Sequence, residues 1–255
     1  MTATAARMER LNGIRMYFEV HGSGKPVLLL HGYTGCSQDW AGVVEQWKGQ
    51  FRLIVPDLRG HGRSEMLTGA FRHKDASADV LALLDHLGVH SANAVGVSGG
   101  GNVLLHIASA QPDRICAMVL VSATPYFPEQ ARSIMRQYAG AVTDEQFEAL
   151  RQKHIGGAEH IRTLLAGAGA FADSYDDMNF TPPLLSRIQA RTLIVQGDRD
   201  PLYPVELSVE MFRAIPNSSL WIVPQGGHGP VLGEHWPEFV RTAGEFIAAN
   251  RRADG

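Results

Sequence analysis

Residues 93–101 read Asn-Ala-Val-Gly-Val-Ser-Gly-Gly-Gly, and Gly96-Val97-Ser98-Gly99-Gly100 within them fits the pattern G-x-S-x-G. The stretch 93–97 is apolar enough for a buried strand, and the residues after Ser98 open a predicted helix. A serine on such a sharp turn has its hydroxyl lifted above the sheet edge. Glycines two residues to either side let neighbouring segments approach without a Cβ clash. The free N–H groups and positive dipole end of the following helix face any oxyanion that develops there. The run Gly99-Gly100-Gly101 costs on the order of 1 kcal/mol per glycine against alanine in helix propensity, which points to a need for close backbone approach. Alone, the pentapeptide is weak, because Gly-rich strand-to-helix turns also serve packing.

Working outward, short apolar runs recur at 14–20, 27–30, 51–55, 117–121, 192–195 and 219–223. Between them, Val80, Leu83, Leu84 and Leu87, and later Phe239, Ala243, Phe246 and Ile247, keep helical spacing with one buried stripe. This alternation predicts an α/β fold, a mostly parallel central sheet flanked by helices that pack on it. After Thr124 the alternation stops, and Pro125 and Pro128 bracket an aromatic pair. Ile134, Met135 and Tyr138, then Phe147 and Leu150, then Ile161, Leu164 and Leu165 suggest three short helices, ended by Pro182-Pro183. The expectation is a core of residues 1–124 and 190–255 with a helical cap inserted at 125–189.

Two further loops follow predicted strands. Gly197-Asp198-Arg199-Asp200-Pro201 places carboxylates where open α/β sheets carry functional groups; either aspartate also suits a turn cap. Gly226-Gly227-His228-Gly229-Pro230 holds a histidine among small or rigid residues, hence on a loop within reach of a substrate. The order Ser98, Asp200, His228 is that of one convergent serine, acid, histidine arrangement. Three weak signals at one sheet edge make a strong joint one.

Composition narrows the partners. The 255 residues carry 23 Lys and Arg against 26 Asp and Glu, a formal charge of −3, with no basic stripe for nucleic acid or anionic lipid. The N-terminus has no apolar signal region, and the run Val27 to Leu30 is far too short to span a membrane. A soluble cytoplasmic protein acting on a small molecule is expected. Cys36 and Cys116 read as thiols rather than a disulfide scaffold, and no Cys/His/Asp spacing suggests a metal or other cofactor. His106 is expected as a packing residue, and His73, His86, His154 and His160 as surface groups.

These motifs resemble those of the α/β-hydrolase fold superfamily over essentially the whole chain. His31-Gly32 with Tyr33 next, after a strand, is similar to the family's oxyanion loop. Pro56 through Ser64 is similar to the loop after the next strand, and there Asp57, Arg59 and His61 are structural, with Gly60 and Gly62 as turn positions. The resemblance implies Asp200 as the acid, with Asp198 in reserve, and the backbone N–H groups of Tyr33 and Gly99 as the oxyanion hole.

It further implies a serine hydrolase, esterase-like or lactonase-like. Dehalogenase or epoxide hydrolase chemistry is not implied, because those enzymes use a carboxylate nucleophile where this chain has Ser98. Val97 and Gly99 depart from the polar or bulky residues often found beside the nucleophile, so no single subfamily's substrate carries over. Tyr126, Phe127, Met135, Met178, Phe180 and Tyr203 are expected to line an apolar pocket, favouring a largely apolar ester of small to medium size. A C–C bond hydrolase, a perhydrolase, a lyase and a ligand receptor of low turnover remain open on the same motifs.

Overall fold

Strand alternation decides where the helices go. The computed structural model describes residues 5–65, 69–231 and 233–249. Its sheet contains β1 (Ala5–Leu11), β2 (Ile14–His21), β3 (Lys25–Leu30), β4 (Phe51–Pro56), β5 (Ala92–Val97), β6 (Ile115–Val121), β7 (Arg191–Gly197) and β8 (Ser218–Val223). Their order is β1-β2-β4-β3-β5-β6-β7-β8. The β1–β2 and β2–β4 pairs are antiparallel and every pair from β4 to β8 is parallel. The helices are α1 (Ala41–Trp47), α2 (His73–His86), α3 (Gly99–Ala110), α4 (Glu129–Ala141), α5 (Asp144–Lys153), α6 (Gly157–Ala170), α7 (Pro182–Leu185), α8 (Val205–Ala214) and α9 (Trp236–Ala248).

Successive strand residues face opposite sides of the sheet. Leu28, Leu30, Ile54, Met118, Leu120 and Ile194 are buried with Val80, Leu83 and Leu84 of α2, Val103 and Ile107 of α3 and Met211 of α8. Their neighbours Val27, Leu29, Leu53, Val55, Val119 and Val195 are buried with Val43 and Val44 of α1 and Phe239, Ala243 and Ile247 of α9. Both helices read from the sequence therefore pack on the sheet, on opposite faces. Strands buried on both sides explain the continuous apolar runs.

Two elements differ from the sequence reading. That reading passed over β1, whose alternation is weak; Asn12 and Gly13, with φ of 45° and 85°, turn it into β2 as an Asn-Gly hairpin. Pro182-Pro183 does not end a helix but opens α7, since a proline in the first helical turn lacks only an amide that has no intrahelical partner there. Helices α4, α5 and α6 occupy the three expected places between 125 and 189. Within this segment the described residues hold only an isolated bridge between Tyr126 and Asn179. No helix among the described residues is long and apolar enough to cross a membrane, and neither Cys36 nor Cys116 is in a disulfide.

Imidazoles fasten the loops around the sheet edge. His31 Nε2 accepts from the Leu58 amide at 2.9 Å, and its Nδ1 donates to the Gly32 carbonyl at 2.8 Å. From the helical segment, His154 Nδ1 accepts from the Gly62 amide at 2.7 Å while its Nε2 donates to the Thr34 carbonyl. His160 donates to the Gly60 carbonyl. His154 is buried and His160 half-buried, so neither is the surface group expected of it; His86 is exposed. The 57–64 loop is braced within itself and to its neighbours, with Arg59 paired twice to Asp79 of α2 and Asp57 accepting from the Ser37 and Arg63 amides.

Burial lowers the pKa of His31, His61 and His154. Such a group contributes stability that is complete above its unfolded value of about 6.5. That stability is lost as the pH falls toward the folded value, because the unfolded chain then binds more protons. The melting temperature should fall by at least about 3 °C between about pH 7.5 and about pH 5. His61 packs edge-on to Tyr33 and Phe71, so His61→Phe should show a smaller fall; a pH dependence equal to that of the wild type would remove His61 from this account.

Candidate active site

Ser98 sits between β5 and α3 with φ 50° and ψ −116°, a left-handed conformation that costs a non-glycine residue about 1–3 kcal/mol. Backbone packing enforces it. A Cβ on Gly96 would stand 2.6 Å from the main chain of Gly100 and Gly101, and one on Gly100 would stand 2.3 Å from the Leu30 carbonyl. The Ser98 amide donates to the Val121 carbonyl at 2.7 Å, and its own carbonyl accepts the first bond of α3 from Asn102.

The Gly99 amide is in the first turn of α3, where amides have no intrahelical acceptor. A Cβ on Gly99 would lie 3.2 Å from the Tyr33 amide nitrogen, so the two amides expected to receive an oxyanion are neighbours beside Ser98. Tyr33 is held in place by its hydroxyl, which donates to the Leu164 carbonyl at 2.8 Å, and by edge contacts with His61, Phe71 and Phe171.

His228 Nε2 lies 2.9 Å from Ser98 Oγ, and its Nδ1 lies 2.9 Å from Asp200 Oδ2. Asp200 follows β7 and is buried, whereas Asp198 is exposed. Oδ1 of Asp200 accepts from the Leu202 and Tyr203 amides, and Oδ2 accepts also from Gln196 Nε2. Burial alone would raise the pKa of this carboxyl. The hydrogen bond and charge of His228, with the two amides, outweigh burial and hold it below the usual carboxylate value. Asp200 is therefore an acceptor only, and Nδ1 of His228 carries the proton of that bond.

The two loops are locked together. A Cβ on Gly197 would fall 2.2 Å from the Gly226 carbonyl oxygen, so only glycine lets the acid loop and the histidine loop touch. Ser122, buried at the end of β6 with φ 49°, accepts from the Gly229 amide at 3.1 Å and braces the histidine loop from beneath. Sequence reasoning missed Ser122, whose strain has no signature in residue type.

A cavity of about 270 Å³ opens over Ser98. Phe127, Met135 and Tyr203 line it as expected, together with Tyr33, His73, Gly99, Asn102, Ile134, Tyr138, Ala168, Phe171, Pro201, Leu202 and His228. Tyr126, Met178 and Phe180 do not line it. Neighbours in an extended segment point oppositely, so with Phe127 turned inward, Tyr126 is 37% exposed and its hydroxyl reaches Glu210. Met178 and Phe180 flank Asn179 of the bridge to Tyr126, and both turn into the core, Phe180 against the His106 ring. His73 is the larger surprise, buried in the cavity wall rather than on the surface. The sequence signal was faint: His73 opens α2 two residues after the apolar Phe71.

A hydroxyl, an imidazole and an ionised carboxylate joined in this way can move a proton off the hydroxyl as it attacks an electrophile. Among known proteins, the family model described as "alpha/beta hydrolase fold" matches residues 25–160, and one described as "TAP-like protein" matches 178–236. A pimeloyl-(acyl-carrier protein) methyl ester esterase of Vibrio vulnificus (strain YJ016) is 30% identical over 86% of this chain and 93% of its own. A 2-hydroxymuconate semialdehyde hydrolase of Pseudomonas sp. (strain CF600) is 26% identical over 92% and 91%. A thermophilic esterase from Thermogutta terrifontis superposes with a TM-score of 0.77 at 25% identity, covering 96% of this chain and 98% of its own. The chain belongs to the alpha/beta hydrolase fold family and is an enzyme of that superfamily.

Proposed function

We infer that this enzyme hydrolyses small to medium carboxylic esters or lactones through an acyl-enzyme on Ser98. The observation that carries this reading is the unbroken relay from Ser98 Oγ through His228 to Asp200, with 2.9 Å at each step. His228 takes the Ser98 proton during attack on the carbonyl, and Asp200 fixes the ring tautomer and stabilises the imidazolium that forms. The amides of Tyr33 and Gly99 receive the oxyanion, an effect worth roughly 3–4 kcal/mol per donor in comparable sites. His228 returns its proton to the leaving alcohol, then activates the water that releases the acid.

Segment 125–189 serves as a cap on the core of residues 1–124 and 190–255. It supplies Phe127, Ile134, Met135, Tyr138, Ala168 and Phe171 to the cavity wall, so it sets which acyl or alcohol parts fit. The 2-hydroxymuconate semialdehyde hydrolase among the relatives raises C–C bond cleavage as a second reading. A carboxylated substrate of that kind calls for a cationic partner, and the lining residues among those described include no Lys or Arg. That favours an uncharged ester.

A p-nitrophenyl ester series from acetate to octanoate tests the reading. Ser98→Ala should lose at least about 10⁴-fold in kcat with its circular dichroism unchanged; activity surviving that change would overturn the assignment. Asp200→Asn should lose about 10³–10⁴-fold, whereas Asp198→Asn, altering an exposed carboxylate, should stay within about twofold. Met135→Ala should enlarge the cavity and raise kcat/KM for octanoate relative to acetate by at least about threefold. An unaltered chain-length profile would place the acyl group elsewhere.

A further inference from the structure

A second His–carboxylate pair, which the relay above does not use, places its imidazole, His73, in the cavity wall. His73 is 1% exposed and Asp177, from the helical segment, 2% exposed. Asp177 Oδ2 lies 2.7 Å from His73 Nδ1 and accepts from the His73 amide at 2.8 Å, while Oδ1 accepts from the Lys74 amide at 3.1 Å. Burial would raise the Asp177 pKa, but the hydrogen bond from the His73 ring and those from the His73 and Lys74 amides bring it down to about 2. The carboxylate is ionised and acceptor-only, so His73 Nδ1 is the donor. The other imidazole near it, His106, has Nε2 3.7 Å from Oδ1, and burial lowers its pKa to about 4, which leaves the Asp177 charge to His73.

Part of this arrangement caps a helix. Arg72 precedes α2 without a side-chain cap bond, and Asp177 of the 125–189 segment satisfies the first amides of α2, as a capping carboxylate does. Capping needs the carboxylate and two amides but no imidazole. The His73 ring continues past that role into the cavity wall, with Phe71, Phe127 and Phe171 around it. Its Nε2 lies 3.6 Å from where a Cβ on Gly99 would stand, beside the Tyr33 amide. With Nδ1–H given to Asp177, Nε2 is the ring nitrogen left toward the cavity, and in the neutral tautomer its lone pair takes a hydrogen-bond donor. With the carbonyl oxygen at the Tyr33 and Gly99 amides, a donor on the carbon next to that carbonyl is the one carried nearest to Nε2.

We propose that His73 is a substrate-recognition residue whose Nε2 accepts a hydrogen bond from a hydroxyl on the carbon adjacent to the attacked carbonyl, making esters of 2-hydroxy acids the preferred substrates. The proposal rests on the placement of Ser98 and the oxyanion amides given above. An apolar cavity wall with one oriented acceptor discriminates strongly against an analogue lacking the donor, because that acceptor is then left buried without a partner.

The test compares methyl 2-hydroxybutanoate with methyl butanoate, each rate divided by that ester's alkaline hydrolysis rate. Wild type should favour the hydroxy ester by about tenfold or more in kcat/KM. His73→Asn keeps a donor toward Asp177 through Nδ2 and removes Nε2, so the ratio should fall to within about twofold of unity. A wild-type ratio near unity, or a ratio retained in His73→Asn, overturns the proposal. Calorimetric binding of both esters to Ser98→Ala gives a readout free of turnover. There the hydroxy ester should bind at least about fivefold tighter, and Ser98→Ala combined with His73→Asn should lose the difference. If wild type hydrolyses neither ester while Ser98→Ala still discriminates, ester hydrolysis is the reading that fails and the recognition role stands. If Ser98-dependent turnover occurs and neither measurement discriminates, the recognition role fails and ester hydrolysis stands.

Discussion

The structure depends on one steric constraint, the contact of bare backbone with bare backbone under Ser98. With Gly100 pressed against the Leu30 carbonyl and Gly96 against the start of α3, the chain leaving β5 has no room to turn gradually. It reverses through a single left-handed residue, and that residue is a serine. Close packing transmits strain instead of absorbing it, so the unfavourable φ at Ser98 is held by the burial of β3, β5 and α3 around it. The same contact brings the Tyr33 amide, just beyond β3, alongside the Gly99 amide. Hydroxyl position and amide position thus follow from one piece of packing.

A second contact of the same kind, Gly197 on Gly226, fixes the acid loop to the histidine loop. The parallel strands deliver all four segments to one edge, and short main-chain bonds from each strand end to the next, Ser98 to Val121 and Ser122 to Val195, keep those ends level. The Asp200–His228 pair is therefore assembled before any substrate arrives, and little reorganisation is left for the reaction itself.

Much of this was legible in the sequence because it is written in residue types with few other uses. Glycines flanking Ser98, Asp200 and His228 mark the strand ends, and apolar runs mark strands covered on both faces. The choice of Asp200 over Asp198 needed the resemblance, and its physical basis, burial with four hydrogen-bond donors, appears only in three dimensions. What the sequence concealed depends on side-chain direction. Tyr126 and Phe127 are adjacent and similar, yet one faces solvent and the other the cavity. Met178 and Phe180 are as apolar as Met135 but flank a bridge that turns them inward. His73 was expected at the surface, and its bond to Asp177, a hundred residues away, holds it in the cavity wall instead.

Tyr33 joins two parts of the molecule that otherwise have separate tasks. Its amide stands beside Gly99, while its hydroxyl is bonded to the Leu164 carbonyl of α6 and its ring is wedged against Phe171. The residue is a rigid strut between the floor of the cavity and its roof. Any displacement of α6 is therefore carried through that strut to the amide at its foot. On the proposed role of that amide, an oversized substrate would be penalised in turnover as well as in affinity.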